Sequence, residues 1–321
     1  MKNIVILTSF VAGVWSSAAV AAETNRYDGY ATFSGGYNSI KTGGYTSLDS
    51  NGNETSSSPD SQKIDGPMLA GRFSAAAPIS SSLAVQVDAV FDRTSFKIGD
   101  VCIECEGTSL HTNQTSLAAH VFWRSPSQDL VGLIAQRSTN SNSFGNAAIP
   151  VTYYLGGEGV VRAGRASFYG QVAYAKPELI YTSGNGVVAT GQIRYLPRDN
   201  FMVSAKLGYE RISLRRSYTS DDSGSTYRSS GTVVGLKSEY QLKASRFGVV
   251  LDGEYRDSNF RYTSQGNGFF YGAKNSMKVF QVLLGVKYNF GAGTLLDRDR
   301  SGASLDAIAP LGMLTSFGGV G

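Results

Sequence analysis

Three groups of side chains have types and spacings suited to chemistry. Ser109, His111 and Asn113 alternate along one short stretch. A hydroxyl, an imidazole and an amide together can activate a nucleophile, with the imidazole taking the proton. Residues two apart on a strand are separated by about 6.6–6.8 Å, however, so the trio is spread out along any extended backbone. Cys102 and Cys105 form a C-x-x-C pair, the spacing of a redox dithiol or of half a metal site. Zinc needs more Cys or His ligands, and the chain has only two of each. Asp297, Asp299, Ser301 and Gly302 match the first half of a calcium loop. The twelfth position of that loop is Ile308 rather than an acid, and Arg298 and Arg300 add positive charge. The expectation is no metal and no cofactor, with a solvated turn before a short helix near 304–314. The chain has no Gly-x-Ser-x-Gly elbow, phosphate loop or zinc-protease helix.

A larger set of charges follows a different rule. Arg72, Asp88, Asp92, Arg124, Glu158, Arg162, Arg194, Lys206, Glu210, Lys237, Glu239, Asp252, Glu254, Arg256 and Lys287 each sit among apolar residues at alternate positions. Leu83, Val85, Val87, Ala89 and Phe91 share one face of a strand, and Gln86, Asp88 and Asp92 share the other. Phe201, Val203, Ala205, Leu207 and Tyr209 oppose Ser204, Lys206 and Glu210. Phe247, Val249, Leu251 and Tyr255 oppose Asp252, Glu254 and Arg256. Only Leu130 to Arg137 has an ambiguous parity. Aromatic residues gather toward segment ends.

Twelve such segments are separated by short and long connections in turn. The short ones fall at about 78–82, 125–128, 163–166, 197–200 and 243–246. The long ones fall at about 39–63, 96–110, 139–149, 177–186, 213–228 and 257–277. An even strand number with alternating turn lengths predicts an all-β fold, a transmembrane antiparallel up-and-down β-barrel of about 12 strands. A sandwich also alternates, but its strands are usually shorter than these segments of about ten residues. The fifteen charges then face the lumen, since in lipid they would be very costly.

The ends fit this reading. Lys2, the apolar run Ile4 to Val14 and Ala19-Val20-Ala21 form a signal-peptide pattern, predicting cleavage near residue 22. No later run approaches 20 apolar residues, so no membrane-crossing helix is expected. In an exported chain a local Cys102–Cys105 disulfide is the default, with reactive thiols as the alternative. A formal charge of +4 is too even to imply nucleic acid as a partner.

The alternating strands, the signal pattern and Tyr288-Asn289-Phe290 closing the last strand resemble Gram-negative outer-membrane barrels. The resemblance covers residues 23–290 and implies a place in the bacterial outer membrane. It also implies lipid and the barrel-insertion machinery as partners, with short turns in the periplasm. In that family the final strand usually ends the chain; here a tail of residues 291–321 follows, periplasmic or folded up into the barrel as a plug. Outer-membrane phospholipases use Ser, His and Asn on a lipid-facing barrel wall, with the His before the Ser, an order that 109–113 lacks. The expected function is passive passage of small hydrophilic solutes, without enzymatic activity. A near-even count of lumen charges implies weak ion selectivity. Twelve strands lie between filled and open barrels, so a filled lumen and a surface-presenting role stay open, with a lipid hydrolase as a minor alternative.

Overall fold

A computed structural model describes residues 27–308, except 45, 58–60, 98–108, 126–128, 143–150, 180–181, 218–223, 244, 267–268, 292 and 302–304. The strands are β1 (Asp28–Thr42), β2 (Thr46–Leu48), β3 (Glu54–Ser57), β4 (Lys63–Pro78), β5 (Leu83–Lys97), β6 (Ser109–Arg124), β7 (Leu130–Asn142), β8 (Val151–Ala163), β9 (Ala166–Leu179), β10 (Thr182–Arg198), β11 (Phe201–Ser217), β12 (Gly224–Gln241), β13 (Phe247–Gly266) and β14 (Phe269–Asn289). Twelve of them pair antiparallel with their chain neighbours, and β1 pairs with β14 to close the barrel. The short β2–β3 hairpin leans on the upper part of β14. Residues 1–22, the expected signal peptide, and both cysteines lie outside the described residues.

The register fixes the barrel's dimensions. Paired residues followed from Lys63 on β4 lead through Lys41 on β1 and Lys278 on β14, around the remaining strands, and back to β4 at Ala77. The stagger from position 63 to position 77 is fourteen residues. With strands about 4.8 Å apart and about 3.3 Å per residue, it tilts the strands by about 39° and sets a backbone radius of about 12 Å.

The outer surface is the inverse of a soluble protein's. Leu155, Val172, Leu207, Leu236, Leu284 and Val286 are exposed, as are Tyr37, Tyr153, Tyr174, Tyr209 and Tyr255 at one rim and Trp123, Phe168, Tyr195, Tyr240 and Phe247 at the other. Tyr255 and Phe247 are eight residues apart, about 26 Å along the tilted strand and about 20 Å along the barrel axis, close to the apolar band of a membrane barrel. Arg93, Lys176 and Arg211 follow the rim aromatics Phe91, Tyr174 and Tyr209 by two positions, outward and exposed. Long side chains placed there can lay their stems on apolar surface while the charges extend past it.

Two connections expected to be long are short. Pairing continues to Leu179 and resumes at Thr182 inside 177–186, and β13 and β14 run through most of 257–277. These stretches lie beyond the apolar band, so they lose their greasy face while keeping their backbone ladder. The hairpin of β13 and β14 therefore rises well past the rim.

The closing seam is tight. A Cβ on Gly36 would lie 1.9 Å from the Val282 carbonyl oxygen and 2.9 Å from Leu283 Cα. Phe290 donates its N–H to the Gly29 carbonyl at 2.8 Å, and its ring packs 5.5 Å from Tyr288 and 5.7 Å from Phe73. Overpacking of this kind costs about 1–3 kcal/mol. Gly36→Val is expected to lower the folded fraction, read as loss of the heat-modifiable band on a gel. A full-strength folded band would show that the seam has room.

Candidate functional site: the lumen and its C-terminal occupant

The inward face has two different halves. The alternation of burial sets the fifteen charged residues named above on the inward side of their strands. On the arc made by β1, β4 and β11–β14, charges interlock. Lys287 reaches Glu239 at 2.8 Å and lies 3.9 Å over the Tyr30 ring. Glu254 takes both Lys206 and Arg256, and Arg72 stands 3.7 Å from Asp252. Arg124 sits at the short-turn end, its guanidinium 6.0 Å above the Phe122 ring. Cavities of about 150 Å³ and 80 Å³ remain along this arc, lined among others by Arg72, Asp92, Arg256, Lys206, Glu210 and Lys237.

The arc from β5 to β10 is apolar to a degree that a wet lumen does not require. Ala84, Phe122, Leu130, Val160 and Tyr169 form one buried cluster. Ala118, Ile134, Tyr154, Ala173, Ala175 and Val188 form a second. Each encloses one residue of the C-terminal tail: Leu305 at 1% exposure in the first, Ile308 at 2% in the second.

The tail reaches this wall from the short-turn mouth. Gly291 and Gly293, at φ of 103° and 118°, turn the chain under the barrel in a conformation that side chains with a Cβ resist. Helix α1 (Leu295–Ser301) then starts on a reciprocal cap. Asp297 N–H donates to Thr294 Oγ1 at 3.2 Å, and Thr294 N–H donates to Asp297 Oδ2 at 2.8 Å. Asp299 points inward, accepting from Ser167 Oγ at 2.5 Å and lying 3.5 Å and 3.6 Å from the guanidinium groups of Arg162 and Arg194. Asp297 and Asp299 thus serve different partners, while the Ser301 side chain and Gly302 of the expected half calcium loop lie outside the described residues. Of the helix expected near 304–314, residues 305–308 are not helical and the others lie outside the described residues.

Inside the lumen the tail is held by its backbone as well as its side chains. Gln86 Nε2 donates to the Leu305 carbonyl at 2.8 Å, and Leu305 N–H donates back to Gln86 Oε1 at 3.4 Å. Gln136 Nε2 donates to the Ile308 carbonyl at 2.7 Å, and Ile308 N–H donates back to Gln136 Oε1 at 2.8 Å. The Asp306 carbonyl accepts from Tyr169 and Gln171 at 3.2 Å and 3.3 Å, and its carboxylate meets Arg194 at 2.6 Å. Behind this seat His120 is enclosed, with Nε2 2.6 Å from Asp88 and Nδ1 2.6 Å from Glu158. Gln86 was placed on the inward face from the sequence but given no role, and Gln136, Gln171 and the apolar inward positions were not picked out. Apolar residues on both faces of β7 were the available signal.

No protein-family model matches the chain, and no curated protein does. Among solved structures it is similar to an outer-membrane channel from Pseudomonas putida F1, at 12% identity over 84% of this chain and 97% of that one, with a TM-score of 0.52. It is also similar to the Escherichia coli outer membrane protease OmpT, at 14% identity over 82% and 97% of the two chains, TM-score 0.38. The fold is that of an outer-membrane β-barrel. In barrels of this fold the short turns lie on the periplasmic side and the longer connections face outward; here α1 lies against the short turns and the tall β13–β14 hairpin stands at the opposite end.

The remaining candidate cluster is rearranged. His111 Nδ1 lies 2.8 Å from Ser95 Oγ on the neighbouring strand, where the two residues are direct cross-strand partners. The Ser109 side chain lies outside the described residues. Asn113 sits one strand repeat further toward the band on the same face.

Proposed function

We propose that this protein is a passive, non-enzymatic outer-membrane channel for small hydrophilic solutes, held closed by its own C-terminal tail. The observation that carries the reading is the two-sided lumen. A charged arc with water-sized cavities runs alongside an apolar arc that the tail fills. Charged side chains in a wet pore set ion preference. With inward cations and anions nearly equal in number, the closed form is expected to leak little and to discriminate weakly. Single-channel recordings of the full mature chain in planar bilayers test this. Small, infrequent steps with reversal potentials near zero are expected. A strong preference for either ion would overturn the charge argument, and steady large steps would overturn the closure.

A second reading has an observation of its own. β13 and β14 are 20 and 21 residues long, about twice what a tilted membrane strand needs, and β2–β3 buttresses them. A wall raised this far suits presentation to the cell exterior. A barrel that stays silent in bilayers with or without its tail would favour that role.

A further inference from the structure

We propose that the apolar inner wall of β5–β10 is a peptide-binding site. Residues 305–308 are its resident ligand, and it takes in trans a short peptide with two aliphatic residues three apart and an acid after the first. This goes beyond solute passage and does not depend on it.

The wall reads a peptide in two ways at once. Gln86 and Gln136 each offer an amide donor and an amide acceptor to one residue's C=O and N–H. That pairing recognises backbone, whatever side chain the residue carries, as in a strand added to a sheet edge. Selectivity comes from the pockets: one closes over Leu305, the other over Ile308, and Arg194 meets the acid between them at 2.6 Å. The two glutamines come from different strands, and each pocket is assembled from side chains of five strands, so the barrel itself prearranges them.

Barrel closure gives no reason for these inward apolar groups. Exposed to lumen water they would be unfavourable, and they make sense only with an apolar occupant. The tail is tethered through α1, so it competes with free peptide at a high effective concentration, in the millimolar range for a short linker. Binding in trans is therefore visible only when the tail's own grip is weakened.

The test uses the full-length chain and a fluorescently labelled peptide with the sequence of residues 303–310, Ala-Ser-Leu-Asp-Ala-Ile-Ala-Pro. In full-length protein carrying Leu305→Ser and Ile308→Ser, saturable binding is expected, at least about tenfold tighter than to the unmodified chain. A peptide with Ser in place of its Leu and Ile should bind at least about tenfold more weakly. Heat-modifiable gel mobility confirms that the barrel is folded. Asp306→Asn, a milder lesion of the same grip, is the second variant and should raise peptide binding about threefold. If neither folded variant binds more peptide than the unmodified chain, or if the Ser-substituted peptide binds equally well, the wall is not a peptide site. Channel recordings of the same proteins keep this separate from solute passage, because a barrel can open without binding peptide and bind peptide without conducting.

Discussion

Full-length protein carrying Leu305→Asp and Ile308→Asp is expected to conduct several-fold more current per channel than the unmodified chain. Burying one aliphatic side chain contributes about 1.5–3 kcal/mol, so the two pockets together hold the tail by several kcal/mol. Replacing both with carboxylates removes that stabilisation and sets two charges against apolar walls, a further cost of several kcal/mol. A shift of that size moves a seated tail to a predominantly released one. The lumen then widens from cavities of about 150 Å³ and 80 Å³ toward the full interior of the barrel. Opening also changes selectivity. Asp306 and Asp299 leave with the tail, while Arg194 and Arg162 stay on the wall without the partners they now have at 2.6 Å and 3.5 Å. The open state should therefore prefer anions, seen as a displaced reversal potential in a salt gradient. Unchanged conductance in a folded, inserted barrel would mean that the wall's own side chains close the lumen, and the surface-presenting reading would then stand.

The sequence revealed the strands because lipid demands one uninterrupted apolar face. Leu83 to Phe91 and Phe201 to Tyr209 need no tertiary information to show it. Where the wall leaves the bilayer that demand stops. Asp257, Asn259 and Arg261 then look like loop residues although each is paired across β13 to β12 and β14. The closing Tyr288-Asn289-Phe290 was legible and packs at the seam it marks.

The seat was hidden for a related reason. Val131 and Leu133 face outward and Leu130 and Ile134 inward, so β7 has two apolar faces and no period to read. That ambiguity reflected an occupied lumen. Asp297 and Asp299 resembled the entry to a calcium loop because helix capping, ion pairing and cation binding draw on the same oxygen-rich side chains. Leu305 and Ile308 fall in the stretch expected to be a short helix, yet they fill two pockets of the wall.

His120→Ala is expected to lower the unfolding temperature by on the order of 10 °C without opening the channel. The imidazole is fully enclosed, and both of its nitrogens lie 2.6 Å from a carboxylate oxygen, Asp88 on one side and Glu158 on the other. Gln86 adds an amide to Asp88 at 2.9 Å, and Tyr169 a hydroxyl to Glu158 at 3.0 Å. The network thus ties β5, β6, β8 and β9 together directly behind the tail. Removing one member of a buried charge cluster costs about 3–5 kcal/mol, because the groups left behind stay desolvated without their partner. At about 2–4 °C per kcal/mol for a domain of this size, that is a shift well outside measurement error in a heat-modifiability series. Changing His120→Gln, Asp88→Asn and Glu158→Gln together should recover much of the loss, since neutral amides can share hydrogen bonds where unpaired carboxylates cannot. If His120→Ala melts within a degree or two of the unmodified barrel, the two carboxylates are reached by water and the cluster is not a structural tie. If the triple variant melts lower than the single one, the ionic form of the network is what holds these four strands in register.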